Sequence, residues 1–64
     1  MNIIKKYNIT LKHDNGKINI LTTIISDNDN EEKDTKKAIK MACDMEKAPE
    51  NAIIKIKLIK KIYV

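Results

Sequence analysis

The residues that could do chemistry in this 64-residue chain are few and widely spaced. His13 and Asp14 could form an acid–base pair, but adjacent strand residues point to opposite faces, so we expect a solvated turn. Cys43 falls within a helical segment, away from a helix N-terminus that would activate its thiol, so we expect it to serve packing. An acidic run lacks the glycine that a calcium loop needs, so we expect it to cap a helix and line a solvated loop. The run comprises Asp27, Asp29, Glu31, Glu32 and Asp34.

The composition argues against catalysis. One histidine and one cysteine cannot make a metal cluster of the usual type or an internal disulfide. The chain also has no glycine-rich loop, no Ser/His/Asp set and no carboxylate pair in an apolar setting. We therefore expect a protein that is not an enzyme and that uses no cofactor and no metal.

The length predicts a single domain over residues 1–64. A chain this short buries only about 60% of the surface that its unfolded form exposes, so small proteins commonly add a further stabilising device. Because disulfides and metals are excluded, association with another chain remains as the stabilising device, and a homodimer is one option. Lysines interrupt the first apolar residues, and no apolar run approaches the roughly 20 residues that span a bilayer, so we expect a cytoplasmic protein without membrane contact.

The net charge is +4, and all thirteen basic residues are lysine. Base readout favours the arginine fork, so lysine alone indicates at most nonspecific phosphate contact. The joint abundance of isoleucine, lysine and asparagine is also typical of an AT-rich genome. The basicity therefore has two explanations at this stage, nucleotide bias and contact with nucleic acid.

Alternation of apolar and polar residues predicts a first strand from about Ile3 to His13 and a second over residues 17–26. Asn15-Gly16 between them favours a two-residue hairpin loop, because both residues tolerate positive φ. The register that follows places Asp14 opposite Lys17. It also pairs Leu11 with Ile20, Ile9 with Thr22, and Tyr7 with Ile24.

A helix follows the acidic run. Asp29 and Glu32 have the spacing of an N-cap and its N3 partner, and the residue before Pro49 ends the helix at about Lys47. The predicted apolar stripe consists of Thr35, Ala38, Ile39, Ala42 and Met45. Lysines cover the outer face of this helix and could contact phosphates or an acidic partner, or simply be solvated: Lys33, Lys36, Lys37 and Lys40.

The third strand is predicted over residues 53–64, where period two assigns Ile54, Ile56, Leu58, Ile62 and Val64 to the core. The fold class is therefore α+β, a ββαβ arrangement with a three-stranded antiparallel sheet of order 2-1-3 and one helix on one face. Order 1-2-3, with a crossover, is the alternative.

The outward face is neither fully polar nor fully apolar. A solvated face should be nearly all polar, whereas a contiguous apolar group rimmed by charge marks an interface. We therefore predict an interface on the outward face, although a solvent face shaped by codon bias would give the same residues. Its predicted members are Leu21, Ile25, Ile53, Lys55, Lys57, Ile59, Lys61 and Tyr63, with Ile4, Lys6, Thr10 and Thr23 on the same face.

The hairpin around residues 14–17, the single helix and the terminal strand 51–58 together resemble very small phage proteins. The order of elements is similar to that of phage inhibitors of uracil-DNA glycosylase, although those are acidic and imitate DNA. More broadly, the chain resembles the small phage inhibitors of host defences, anti-CRISPR proteins among them. The resemblance covers most of the chain in layout and carries over no functional residue.

The expectation from sequence is therefore a protein-binding module, in its most specific form a phage or mobile-element inhibitor. Such a protein would block a host complex that handles nucleic acid by occluding one of its surfaces. A nonspecific nucleic-acid-binding protein is the alternative, and a domain whose sheet edge adds to another protein is a third option.

Overall fold

The computed structural model describes residues 2–13 and 16–64. Two strands, β1 (Ile3–His13) and β2 (Gly16–Ser26), are followed by a helix, α1 (Glu31–Glu46), a 3₁₀ turn (Glu50–Ala52) and a last strand, β3 (Ile53–Tyr63). β1 lies in the middle of an antiparallel sheet of order β2-β1-β3, and α1 packs on one face of it. The predicted fold class and strand order are confirmed.

α1 packs chiefly on β2 and the neighbouring part of β1. The core lies between them and contains the alternate residues of each strand, joined by two helix alanines. Its buried members are Tyr7, Ile9, Leu11, Ile20, Ile24, Ala38, Ala42 and Ala52. Small side chains on α1 let the helix approach the sheet closely.

The hairpin register differs from the predicted one by two residues. Leu11 faces Ile18, and His13 faces Gly16. A shift of two keeps every side chain on its face, so the apolar pattern cannot distinguish the two registers. The observed register pairs all eleven residues of β1, whereas the predicted one would leave both Ile3 and Ile4 without a partner on β2. Gly16 has a φ of 133°, and the predicted loop residues Asp14 and Asn15 lie outside the described part of the chain.

The helix begins one residue later than predicted. Its N-cap is Asn30, whose side-chain oxygen accepts a hydrogen bond from the Lys33 backbone nitrogen at 3.1 Å. The predicted cap, Asp29, instead binds two lysines of the sheet. Lys47 ends the helix in the left-handed conformation with a φ of 52°.

The predicted apolar stripe of α1 is only partly buried. Ala38 and Ala42 are core residues, Thr35 and Ile39 are partly buried, and Met45 is exposed. None of the helices in the described residues is long and apolar enough to cross a membrane.

Two irregularities in the pairing of β3 with β1 change which face its residues occupy. The register shifts between Lys6 and Tyr7 and again between Thr10 and Leu11 of β1. Each shift leaves an extra residue on β3, Ile59 in one case and Ile54 in the other, as in a β-bulge. Because each bulge advances β3 by one residue, strict alternation along this strand fails twice.

Candidate protein-binding surface

The face of the sheet opposite α1 is called the open face here. The register places every second residue of β1 and β2 on it, together with those β3 residues that pair with them. A hydrogen bond of 2.7 Å between Thr10 Oγ1 and Asn19 Oδ1 crosses this face. Its members are Ile4, Lys6, Asn8, Thr10 and Lys12 from β1, Lys17, Asn19, Leu21, Thr23 and Ile25 from β2, and Lys55, Lys57, Lys60 and Ile62 from β3.

Charge on the open face has a single sign. Six lysines lie there, and none of the three strands contributes a carboxylate. The eight carboxylates of the described residues all fall between residues 27 and 50, in the loop, α1 and the 3₁₀ turn. Asp14 lies outside the described residues. A face carrying one sign of charge attracts an oppositely charged surface over several ångströms.

An apolar row crosses one end of the open face. Ile4 on the central strand is flanked by Ile25 on β2 and Ile62 on β3. Ile25 is 65% exposed, and Leu21, farther along β2, is 68% exposed. These side chains adjoin the row of Lys6 and Lys60, so the open face combines aliphatic contact area at one end with positive charge over the rest.

The predicted interface residues divide between the two faces of the sheet. Leu21, Ile25, Lys55 and Lys57 lie on the open face as predicted, while Ile59 is an exposed bulge residue. The bulges carry the other three to the helix side, so their predicted face is wrong. These are Ile53, which pairs with Leu11, Lys61, which pairs with Lys5, and Tyr63, which pairs with Ile3.

The same two bulges correct the predicted core of β3. Ile56 and Leu58 do face the helix side, opposite Ile9 and Tyr7. Ile62 instead belongs to the open face, Ile54 is an exposed bulge residue, and Val64 is exposed beyond the end of the strand. β3 therefore exposes aliphatic side chains on both of its faces.

The helix lysines form a separate basic surface. Lys33, Lys36, Lys37 and Lys40 are exposed, and they lie in the layer on the other side of the sheet from the open face. The Lys36 Nζ is 3.6 Å from Glu32 Oε1, an exposed i,i+4 pair of small energetic weight. Because the sheet separates the two sets, one flat partner surface cannot contact both.

A cluster of four charged residues joins the layers. Lys5 points from β1 into the protein, where Nζ donates to Asp34 Oδ2 at 2.7 Å and to Asp29 Oδ1 at 2.9 Å. Lys5 and Asp34 are both 1% exposed. Asp29 also accepts a hydrogen bond from Lys61 on β3, whose Nζ lies 5.3 Å from the centre of the Tyr63 ring. The cluster thus connects β1, β3, the loop before α1 and the first turn of α1.

The ionisation of this cluster follows from its contacts. Burial is the largest single influence on the pKa of Asp34 and acts to raise it. Hydrogen bonds from Lys5 and Ser26, together with the positive charges of Lys5 and Lys37, outweigh burial and hold that pKa below its ordinary value. Hydrogen bonds from Lys61 and Lys5 lower the pKa of Asp29. The hydrogen bond to Asp34 raises the pKa of Lys5, against the opposing effect of burial. All three groups are therefore charged near neutral pH.

Sequence reasoning missed the buried cluster and part of the open face. Lys5 is an odd-numbered residue of β1, like Ile3, Tyr7 and Ile9, so alternation places it on the core face of the strand. A lysine at a core position implies a buried acidic partner. Asp34 precedes Ala38 and Ala42 at intervals of four, which places it on the buried stripe of α1. The open-face members outside the predicted interface set are Asn8, Lys12, Lys17, Asn19, Lys60 and Ile62. Those on β3 could have been found from the doublets Ile53-Ile54 and Leu58-Ile59, where two adjacent apolar residues break the alternation.

The thiol of Cys43 is protected. Cys43 is a free, buried cysteine, and burial raises the pKa of its thiol, which disfavours the reactive thiolate.

Comparisons of the chain with protein-family models, with curated proteins and with solved structures found no match.

Proposed function

We propose that this protein is a non-enzymatic binding module whose open face docks on a carboxylate-rich surface of another protein. The observation that carries the proposal is the combination of six lysines, unaccompanied by any carboxylate in the strands, with an exposed aliphatic row at one end of the same face. Protein interfaces combine apolar contact area with a charged rim that sets orientation and association rate.

The chemistry of the open face favours a protein over a nucleic acid. Proteins that bind single strands stack bases on aromatic side chains, but both tyrosines, Tyr7 and Tyr63, lie on the helix side. The chain has no arginine for bidentate contacts to base edges. Ile4, Ile25 and Ile62 would have no apolar counterpart on a phosphate backbone.

In its most specific form, the module is a phage or mobile-element inhibitor that acts in the cytoplasm on a host complex handling nucleic acid. The similarity in layout to small phage inhibitors supports this form. Occlusion is the mode of action that fits, because covering the site of another molecule requires a complementary surface and no reactive group.

Nonspecific binding to nucleic acid is a second candidate, and the six lysines of the open face favour it directly. Such binding would weaken steeply with salt, since each phosphate contact releases a condensed counterion. A protein–protein interface with an aliphatic component would depend less on ionic strength.

The two candidates can be separated by capture from a lysate of the host, with and without nuclease, using two matched triple variants. The first, Lys6→Glu/Lys57→Glu/Lys60→Glu, reverses the charge of the open face. The second, Lys33→Glu/Lys36→Glu/Lys47→Glu, makes the same change in net charge on α1 and its cap. We expect a captured protein that survives nuclease treatment and is lost only with the open-face variant.

Each other outcome has a definite meaning. Capture that disappears with nuclease would identify nucleic acid as the ligand and overturn the protein-binding proposal. Equal loss with both variants would show that net charge, and not the open face, governs binding. Circular dichroism of the two variants would establish that both remain folded.

A further inference from the structure

The two edges of the sheet are protected very differently. A strand edge exposes unpaired backbone N–H and C=O groups, and proteins commonly block such edges with lysines and bulges. β3 has both devices, since it carries four lysines and two bulges. β2 has neither over residues 18–26, because that stretch contains no charged residue and pairs with β1 without interruption.

The unprotected edge of β2 borders a groove against α1. The groove has a volume of about 520 Å³, and Thr23, Ile24 and Ile25 form its strand side. Met41, which is 40% exposed, supplies apolar surface from the helix. Lys37, Lys40 and Asp44 complete the helix side, so that both signs of charge lie along one rim.

We propose that a second copy of this chain pairs with the β2 edge, antiparallel and about a two-fold axis. The result is a six-stranded sheet of order β3-β1-β2-β2-β1-β3 with the two helices side by side. Alternate residues of a strand point to opposite faces of the sheet. For both cores to lie on the same side of the six-stranded sheet, the two residues that pair across the axis must therefore both have even numbers or both have odd numbers. Antiparallel pairing of identical strands meets this condition and produces a closed, isologous dimer.

Charge decides which edge pairs with itself. Two β3 strands in antiparallel register would bring lysines against lysines, because Lys55, Lys57, Lys60 and Lys61 are spread along that strand without a carboxylate. Across the β2 edge the helices run antiparallel, so the Lys37 and Lys40 end of one helix approaches Asp44 of the second copy. Met41 of each copy then lies near the axis, where it can be covered.

The inference does not depend on the proposed function, because edge pairing uses the backbone of β2 and the helix side of the groove, whereas the proposed function uses side chains of the open face. It accounts for how so short a chain is stabilised without a disulfide, which is a recognised need of domains this small. Capture of a partner on the open face and association through β2 can therefore succeed or fail separately.

Sedimentation equilibrium over a range of protein concentrations tests the proposal. We expect the mass to rise from 7.4 kDa toward twice that value with increasing concentration. Thr23→Lys places a lysine on the exposed face of β2 close to the axis, and we expect it to raise the dissociation constant roughly tenfold or more. Ile59→Lys, the same kind of change on β3, should leave the dissociation constant unchanged.

A wild-type protein that remains monomeric up to about 1 mM, the dissociation constant of a very weak interface, would overturn the inference. So would a dimer that Ile59→Lys disrupts and Thr23→Lys does not, because the β3 edge would then be the one that pairs. Hydrogen exchange of the wild-type chain provides a readout without substitution. We expect amides of β2 to become more protected as concentration rises, and unchanged protection in a dimeric sample would count against β2.

Discussion

At the scale of single residues, the buried pair of Lys5 and Asp34 is the feature with the largest energetic consequence. Each charge is held 1% exposed and is balanced by the other at 2.7 Å. A buried pair contributes little net stability, because desolvation offsets attraction, but removing one partner leaves an uncompensated charge. The pair therefore makes the fold intolerant of single changes at either position.

We predict that Asp34→Asn lowers the free energy of unfolding by about 3–5 kcal/mol, the usual cost of breaking a buried pair. The double variant Lys5→Met/Asp34→Leu should be neutral or more stable than the wild type, by up to about 4 kcal/mol, because no charge is left buried. Urea denaturation measures both. Asp44→Asn, on the exposed side of the same helix, is the control, and an equal loss there would contradict the assignment.

The same carboxylates predict how stability depends on pH. The folded pKa values of Asp29 and Asp34 lie below their ordinary value of 3.8, so the unfolded chain binds protons first as pH falls. Their contribution is complete above pH 3.8 and is lost as pH falls through the folded values. We expect the thermal midpoint to drop on acidification below about pH 4, and to drop less in Lys5→Met/Asp34→Leu. An identical acid profile in that variant would show that other groups control the transition.

A substitution at Thr22 is expected to increase the free energy of unfolding. Its side chain is 2% exposed, and its hydroxyl has no hydrogen-bond partner among the described residues. Thr22→Val removes a desolvated hydroxyl and keeps the β-branched shape, so we expect a gain of about 1 kcal/mol in chemical denaturation. Thr23→Val, at the neighbouring exposed position, should change stability by much less.

At the scale of elements, local sequence signals located the strands and the helix, while pairing details depended on contacts between them. Alternation and Pro49 placed β1, β2 and α1 within one or two residues. The two-residue register error has a physical cause, because both registers bury the same side chains and differ only in how many backbone groups they pair. The cap at Asn30 was missed because Asp29 is held by Lys5, a contact 24 residues away in sequence.

The first residue of β2 and the residue that ends α1 both have a positive φ. Substitutions at these two positions should change the stability of the fold in opposite directions. Gly16 has a φ of 133° and nothing within 4 Å of the position that a Cβ would take, so the cost of Gly16→Ala is purely conformational. We expect a loss of about 1 kcal/mol or more. Lys47 has a φ of 52° at the helix end, where glycine is favoured, so Lys47→Gly should gain about 0.5 kcal/mol. Thermal denaturation of the pair tests the assignment, and a stabilising Gly16→Ala would refute it.

At the scale of the whole molecule, charge separates by layer. Lysines without carboxylates occupy the strands, while every described carboxylate lies in the segment that covers one face. This sidedness could not be obtained from net charge, since +4 describes the total and not its distribution. How the β3 lysines divide between the two faces depends on the bulges, which move Lys60 to the open face and Lys61 to Asp29.

The position of α1 has a consequence for motion. Since the helix packs chiefly on β2, β3 is attached mainly through its ladder with β1, the Lys61–Asp29 contact and its first residues near the core. The hairpin and helix keep most of their core if β3 detaches, so local opening should cost less than global unfolding. We expect amides of β3 beyond Ile56 to exchange with solvent faster than those of β1 that face β2. Uniform protection across the sheet would mean that the molecule opens only as one cooperative unit.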